Sequence, residues 1–348
     1  MSDTLLIEPS SISPARRALG VALRSREIAV GIVLLLLILF TTLKSNGFLF
    51  SDNGWRDLLL TPSLLLLLAI GQTVVIVTRN VDLSVGSVLG LTAYLTGKLF
   101  LDHPGLPIPL VFLIGLVFGG ALGLVNGVLV AWGKVPALVI TLGTLYIYRG
   151  IFLSWAGSDR INASDLPASF NELGTKQILT IPVLTIIGLL VLAVVGYYLY
   201  TARSGRELYA IGSDPDAAVL YGLPIRRRVM MAFVISGALA GLAGVFYTAR
   251  YGTVSSGAGL GLELQAVGAA VIGGVAIFGG SGTVWGAALG AYLLVTINRA
   301  LPILGISDFW QQAVVGALII AAITLDRALS AREARRLVAA RDEARSHG

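Results

Sequence analysis

Residues 108–133 read IPLVFLIGLVFGGALGLVNGVLVAWG, and this stretch decides the fold. It contains no Asp, Glu, Lys or Arg. A helix of this length, rising about 1.5 Å per residue, reaches about 39 Å and crosses the roughly 30 Å hydrocarbon core of a bilayer with room for tilt. Gly115, Gly119, Gly123 and Gly127 recur at every fourth position, and Gly282, Gly286 and Gly290 repeat the spacing. Such stripes let backbones approach closely, which is how helices associate where lipid is as apolar as leucine. A tightly packed membrane bundle is expected.

The rest of the chain agrees. Hydrophobic residues are 56% of the 348 and charged residues 13%, against about 25% charged in an ordinary soluble domain. The apolar residues come in span-length runs, without the dyad alternation of an outer-membrane barrel. The expected fold is therefore all-α and polytopic, with about ten helices near 28–43, 59–78, 84–101, 108–133, 135–157, 179–200, 229–250, 262–279, 283–301 and 309–325. Some of these are expected to be broken or re-entrant, above all around TRNVDLSVG (78–86). A weak internal echo links GSVLGLTAYL (86–95) with GTVWGAALGAYL (282–293). The first apolar run follows a leader bearing Arg16, Arg17, Arg24 and Arg26, and TTLKSNGFLF (41–50) offers no small-residue cleavage site, so it reads as a span. The domain division is a leader 1–27, a membrane domain 28–326 and a tail 327–348.

Charge gives orientation. With the N-terminus inside, the leader, the turns at Arg79 and Lys134, the segment 201–228 and the tail are cytoplasmic. The C-terminal segment 326–348 carries six Arg against four acids, and 201–228 carries Arg203, Arg206, Arg226, Arg227 and Arg228 against three. Basic residues concentrate on the cytoplasmic side of membrane proteins. The net charge of +6 is accordingly no nucleic-acid footprint. The absence of cysteine excludes disulfides and thiolate metal sites, and His103 and His347 alone build no zinc site. No G-x-x-x-x-G-K-[ST] occurs, so the chain carries no P-loop of its own.

IGSDPDAAVLYGLPIRRR (211–228) is polar between two apolar runs. Ser213 with Asp216 makes a capping-box pattern, Pro215 sits in the first turn, and Asp214 and Asp216 suit the positive end of the helix dipole. Gly222 supplies a left-handed stop and Pro224 prevents continuation. The intervening two turns, about 12 Å, are marginal alone in water and need a surface. Val219, Leu220, Tyr221 and Leu223 offer apolar contact to a soluble partner or to the membrane interface.

Taken together, GQTVVIVTRNVDLSVGS (71–87), NGVLVAWGKVPALVITLGTLYIYRG (126–150), SGRELYAIGSDPDAAVLYGLPIRR (204–227), SGALAGLAGV (236–245) and GLELQAVGAAVIGGVAIFGGSGTVWGAALGA (261–291) resemble the permease subunit of bacterial ATP-binding-cassette importers of the ribose, xylose, rhamnose and autoinducer-2 type. The passages run in family order, and TRNVDLSVGS, NGVLVAW and LGTLYIYRG look closest to autoinducer-2 and rhamnose permeases. The resemblance implies a multi-pass protein of the bacterial inner membrane with both termini cytoplasmic. It also implies a permease dimer, of two copies or with a paralogue, two cytoplasmic ATPase domains and an extracytoplasmic sugar-binding protein. The permease would bind no cofactor, ATP-Mg being used by the ATPase, and would perform no covalent chemistry. The segment 213–224 corresponds to the coupling helix that docks on the ATPase, carried here by Ser213, Asp214, Asp216, Ala217, Ala218, Leu220, Tyr221 and Gly222.

The remaining candidates follow from polarity inside apolar runs. Asp82, Ser84 and Gly86 read as a helix N-cap or as a half-helix whose N-terminus faces the pathway. Gln72, Asn126, Thr141, Thr144, Tyr146 and Tyr148 are polar groups that lipid cannot satisfy and that belong in the bundle interior or a wet cavity. A neutral sugar needs such donors and acceptors, so Gln72, Asp82, Ser84, Asn126, Thr141, Thr144 and Tyr146 are the candidate pathway set. Arg149 and Arg299 are expected to snorkel or pair with carboxylates. Arg160, Glu172 and Glu263, with Arg149 and the loop 251–261, are the candidate docking surface for the binding protein. Trp155, Trp285 and Trp310 fit an interfacial belt. An ion-coupled transporter would favour mid-span carboxylates, and Asp82 and Glu263 read as helix-end residues. A membrane enzyme finds no clustered acid or nucleophile.

Overall fold

The computed structural model describes residues 26–318 with 320, 321 and 324. Most of the leader and the tail from 327 lie outside the described residues. The helices are α1 (Arg26–Lys44), α2 (Gly47–Phe50), α3 (Gly54–Leu60), α4 (Pro62–Ile76), α5 (Val85–Asp102), α6 (Ile108–Gly133), α7 (Ala137–Ala156), α8 (Ala168–Glu172), α9 (Val183–Thr201), α10 (Arg203–Ser213), α11 (Pro215–Leu220), α12 (Ile225–Tyr251), α13 (Leu262–Ile272) and α14 (Val284–Ile303). A two-residue hairpin, β1 (Gln177–Ile178) with β2 (Ile181–Pro182), precedes α9.

Among the described residues, seven segments are long and apolar enough to cross a membrane: Glu27–Lys44, Gly54–Ile76, Ile108–Gly133, Ala137–Ala156, Val183–Thr201, Ile225–Tyr251 and Val284–Ile303. The polytopic all-α architecture stands, while the count of ten does not follow from them. Helix α5 has 18 residues but is diluted in apolarity by glycines, threonines and the Lys98–Asp102 pair. The run expected at 262–279 stops at Ile272. Gly274, Gly279, Gly280 and Gly282 all have positive φ there, so the chain turns instead of continuing. At 11 residues α13 reaches about 16 Å, half a bilayer. In the tenth run a 3-10 turn, Asp308–Trp310, leads into helical residues 311–318.

Helix α4 is the axis of the bundle: every residue from Pro62 to Ile76 is buried. Helices α9, α12, α13 and α14 pack around it, and α12 also runs along α5 and α6. The glycine stripe of α6 meets a matching stripe on α12. A Cβ on Gly119 would lie 2.2 Å from the Gly237 carbonyl oxygen, and one on Gly241 would lie 2.1 Å from that of Gly115. No side chain fits between these backbones. Gly286 and Gly290 do the same for α14 against α13, with Cβ positions 2.0 Å from the carbonyl oxygens of Gly273 and Ala269. Helices α1, α6, α7 and α9 turn leucine, valine and isoleucine outward, as lipid-facing spans do.

Candidate functional site

The segment between α9 and α12 holds two helices where the sequence pointed to one. Residues 203–213, including Ser213, belong to α10, so the Ser213–Asp216 capping box does not form. Asp214 caps α11 instead, its Oδ1 accepting the backbone N–H groups of Asp216 at 3.1 Å and Ala217 at 3.0 Å. The stop is as expected. Gly222 has φ 69°, Leu223 N–H donates to the Ala218 carbonyl and Gly222 N–H to the Val219 carbonyl, which is the paired pattern of a Schellman motif. Ala218 is the buried residue of α11, while Val219, Leu220 and Tyr221 are 63%, 87% and 85% exposed. A two-turn helix thus holds itself by its caps and presents its apolar residues outward.

Helix α10 fastens this helix to the bundle. Glu207 accepts from Arg203 Nε at 2.9 Å and from Arg228 Nε, in the first turn of α12, at 2.5 Å. The Arg228 guanidinium holds the Glu207 carboxyl below its ordinary value, against the opposing effect of burial and with Arg203 adding to the lowering. Arg79, in the left-handed region at φ 65°, donates from Nε to the Gly212 carbonyl at 2.6 Å and from Nη2 to the Ser213 carbonyl at 2.8 Å. Gly280 N–H donates to the Val77 carbonyl at 3.0 Å, and a Cβ on Gly212 would lie 1.8 Å from that same oxygen. Three chain segments, the end of α4, the end of α10 and the turn before α14, therefore meet at the base of α11.

Three residues beyond Arg79 the chain enters a buried polar knot. Asp82 Oδ1 accepts the Ser84 N–H at 3.0 Å and the Ser84 hydroxyl at 2.7 Å, and Oδ2 accepts the Ser236 hydroxyl of α12 at 3.0 Å. Gln72 of α4 donates its side-chain amide to the Asp82 carbonyl. Asn126 of α6 donates to Ser84 Oγ at 2.7 Å, Tyr148 of α7 donates to the Leu122 carbonyl at 2.9 Å, and Thr141 donates to the Val81 carbonyl at 3.1 Å. Ser84 holds the N-cap position of α5, yet its side chain makes no cap bond; the carboxylate of Asp82 takes its N–H instead. The knot joins α4, α5, α6, α7 and α12.

The other candidates separate. Thr144 is buried and bonds within α7 to the Thr141 carbonyl at 3.3 Å. Tyr146 is 69% exposed on the far face of α7, away from the knot. Arg160 and Glu172 are exposed in the segment between α7 and β1. Glu263 is half-buried, its carboxylate packed over Gly86, where a Cβ would lie 2.2 Å from Oε2. Arg149 is buried, donating from Nη1 to the carbonyl of Ala258, in the loop between α12 and α13, at 2.7 Å. Arg299 donates to the carbonyls of Gly54 and Phe48, both at 2.9 Å. Both arginines fasten backbone and neither snorkels.

Sequence reasoning missed a cavity of about 550 Å³ at the opposite end of the bundle from α11, with Asp57, Thr61, Tyr247, Gln265, Asn298 and Arg299 in its wall. These residues come from α3, the α3–α4 junction, α12, α13 and α14, and no local motif connects them. Among the described residues no group of three or more His, Cys, Asp or Glu is placed to hold a metal ion.

Against known proteins, no solved structure matches the chain. The autoinducer 2 import system permease protein LsrC of Salmonella choleraesuis is 39% identical over 266 residues, 76% of each chain. The protein of the same name from Escherichia coli O157:H7 is 35% identical over 302 residues, 87% of each chain. Residues 55–323 match the family model described as branched-chain amino acid transport system / permease component, a match that takes in the polar knot, the outward-facing helix and the opposite cavity. The chain belongs to this family of membrane transport permeases.

Proposed function

We propose that the chain is the membrane-spanning subunit of an ATP-driven importer for a monosaccharide or sugar-like molecule of the ribose, rhamnose and autoinducer-2 class. Its named relatives serve autoinducer 2 import. The observation that carries the reading is α11: a short helix, capped at both ends, whose Val219, Leu220 and Tyr221 are exposed beside the arginine-rich start of α12. Free in water those side chains serve nothing. Against a groove of a cytoplasmic ATPase they bury apolar surface worth about 1.5–3 kcal/mol for each fully covered side chain. In this reading the chain works with a second permease subunit, two ATPase domains and an extracytoplasmic binding protein, and the ATP-Mg belongs to the ATPase. Both termini and α10–α11 are cytoplasmic, and the chain itself does no covalent chemistry. Nucleotide-driven closure of the ATPases shifts the bundle only if their contact with α11 differs between the two states of the transporter.

The test is ATP-dependent uptake of labelled sugar by vesicles holding this chain with its ATPase and binding protein. Leu220→Asp places a charge at the centre of the apolar contact, and Asp216→Arg inverts the charge of the first turn. Both are expected to abolish co-purification of the ATPase and to lower uptake at least about 100-fold, the loss of about 3 kcal/mol, while the permease stays folded. Uptake that persists without ATP and follows an imposed ion gradient would replace this reading with ion-coupled transport.

A further inference from the structure

Helices α4, α12 and α14 each run from the α10–α11 end of the bundle to the cavity opposite it: Thr61 precedes α4, Tyr247 lies in the last turns of α12, and Asn298 and Arg299 lie late in α14. The charged groups of the wall are already engaged. Asp57 accepts from Arg250 Nη2 at 3.1 Å and from Arg56 at 3.3 Å, and Arg299 spends both terminal nitrogens on backbone carbonyls. The neutral groups are different. The buried Asn298 Oδ1 has no hydrogen-bond partner among the described residues, and the half-buried Thr61, Gln265 and Tyr247 add uncharged polar side chains to the wall. An unpaired buried polar group costs about 1–3 kcal/mol, so Asn298 Oδ1 calls for an occupant of the cavity that bonds to it.

We infer that this cavity is a binding site for a neutral, hydroxyl-rich small molecule of monosaccharide size. A volume of about 550 Å³ falls within the roughly 300–1,000 Å³ of small-molecule sites. Asn298, Gln265, Thr61 and Tyr247 supply uncharged donors and acceptors for hydroxyl groups. The rings of Tyr247 and Tyr251, with centroids 4.7 Å apart, supply an aromatic surface for the C–H face of a sugar. The two charged groups of the wall are held in place, Asp57 by Arg250 and Arg56 and Arg299 by two backbone carbonyls, so the side chains left to meet a ligand are mostly neutral. The inference rests on the permease reading, to which it adds a location on this chain.

The chain has no cysteine, so single cysteines report cleanly. Asn298→Cys and Gln265→Cys, with Thr185→Cys as a buried control bonded to Ser63, are made in the assembled transporter in membrane vesicles. A membrane-impermeant maleimide is then added to the extracytoplasmic side. Both cavity cysteines are expected to react and the control to remain unlabelled. D-ribose, D-xylose, L-rhamnose and autoinducer 2 are tested as protectants, and at least one is expected to slow labelling about tenfold at a concentration about ten times its dissociation constant, as mass action requires; L-leucine is expected to give no protection. The inference is overturned if neither cavity cysteine reacts, if none of the four protects, which leaves a water- or lipid-filled vestibule, or if leucine protects equally. ATP-dependent uptake is measured in the same vesicles. Protection without uptake defeats the transport reading and keeps the site, whereas uptake without protection defeats the site alone.

Discussion

Gly119 and Gly120 are neighbours on α6 with opposite surroundings, and together they measure what close packing is worth. A Cβ on Gly119 meets the Gly237 carbonyl oxygen at 2.2 Å and the Gly241 Cα at 2.7 Å, both backbone. Neither can yield without moving α12. A Cβ on Gly120 meets nothing nearer than the Ala238 Cβ at 3.6 Å, ordinary contact. Gly119→Ala is expected to drive α6 and α12 apart and cost more than about 3 kcal/mol, the upper range for overpacking. Gly120→Ala is expected to be neutral or to stabilise by up to about 1 kcal/mol through helix propensity. Thermal unfolding of the two variants in detergent decides it, and equal melting temperatures would show that the helices are not in backbone contact. The four-residue spacing made this stripe legible in the sequence. The contrast with Gly120 was not, because it depends on which side of α6 faces α12.

At the scale of elements, legibility followed locality. Pro215, Gly222 and Pro224 lie within one turn of the helix end each defines, and both ends of α11 were found to within about two residues. The cap itself was misassigned from Asp214 to Ser213. Helix α10 was hidden because its hold on the bundle comes from Arg228, 21 positions away, a pairing with no local signature. The knot around Asp82 was visible as a set of polar residues, but its bonds tie five helices and follow from topology. The α10–α12 clamp makes a prediction of its own. Glu207 titrates below its ordinary value of 4.5 because Arg228 bonds to its charged form. A depressed carboxyl contributes stability that is complete above the unfolded value and is lost as pH falls through the folded one. Charge-assisted bonds of this kind are worth about 1.5–3 kcal/mol, and the Arg203 arm adds little because that side chain is 86% exposed. Glu207→Gln is therefore expected to melt below wild type at pH 7, with the gap closing as pH drops under 4.5. A gap independent of pH between 3 and 7 would mean that the carboxylate charge plays no part in the clamp.

For the molecule as a whole, the proposed docking of an ATPase on α11 requires a path by which a push there would reach helices that touch the opposite end. The structure offers one short mechanical route. Arg79 holds the Gly212 and Ser213 carbonyls, immediately before the Asp214 cap, and stands three residues from Asp82, whose knot grips α4, α5, α6, α7 and α12. Gly280 bonds to Val77 beside it, which brings in the turn to α14. On the proposed reading, a displacement of α11 would pass through these contacts to α4, α12 and α14, the helices that carry Thr61, Tyr247 and Asn298 to the cavity. Arg79→Gly tests the route without confounding strain, since glycine adopts the left-handed conformation at φ 65° freely while losing both bonds to α10. The ATPase is expected still to dock in this variant, because the exposed face of α11 is untouched, and still to hydrolyse ATP when the binding protein is present. Uptake, however, is expected to fall at least about tenfold, the equivalent of 1.4 kcal/mol of lost coupling, so that more ATP is spent per molecule imported. Arg79→Lys, which can keep one carbonyl bond, is expected to lie between. The ratio of hydrolysis to uptake in proteoliposomes separates the outcomes. A proportional drop in both rates would mean that Arg79 merely supports the fold, and unchanged rates would mean that the push travels through the α10–α12 clamp instead.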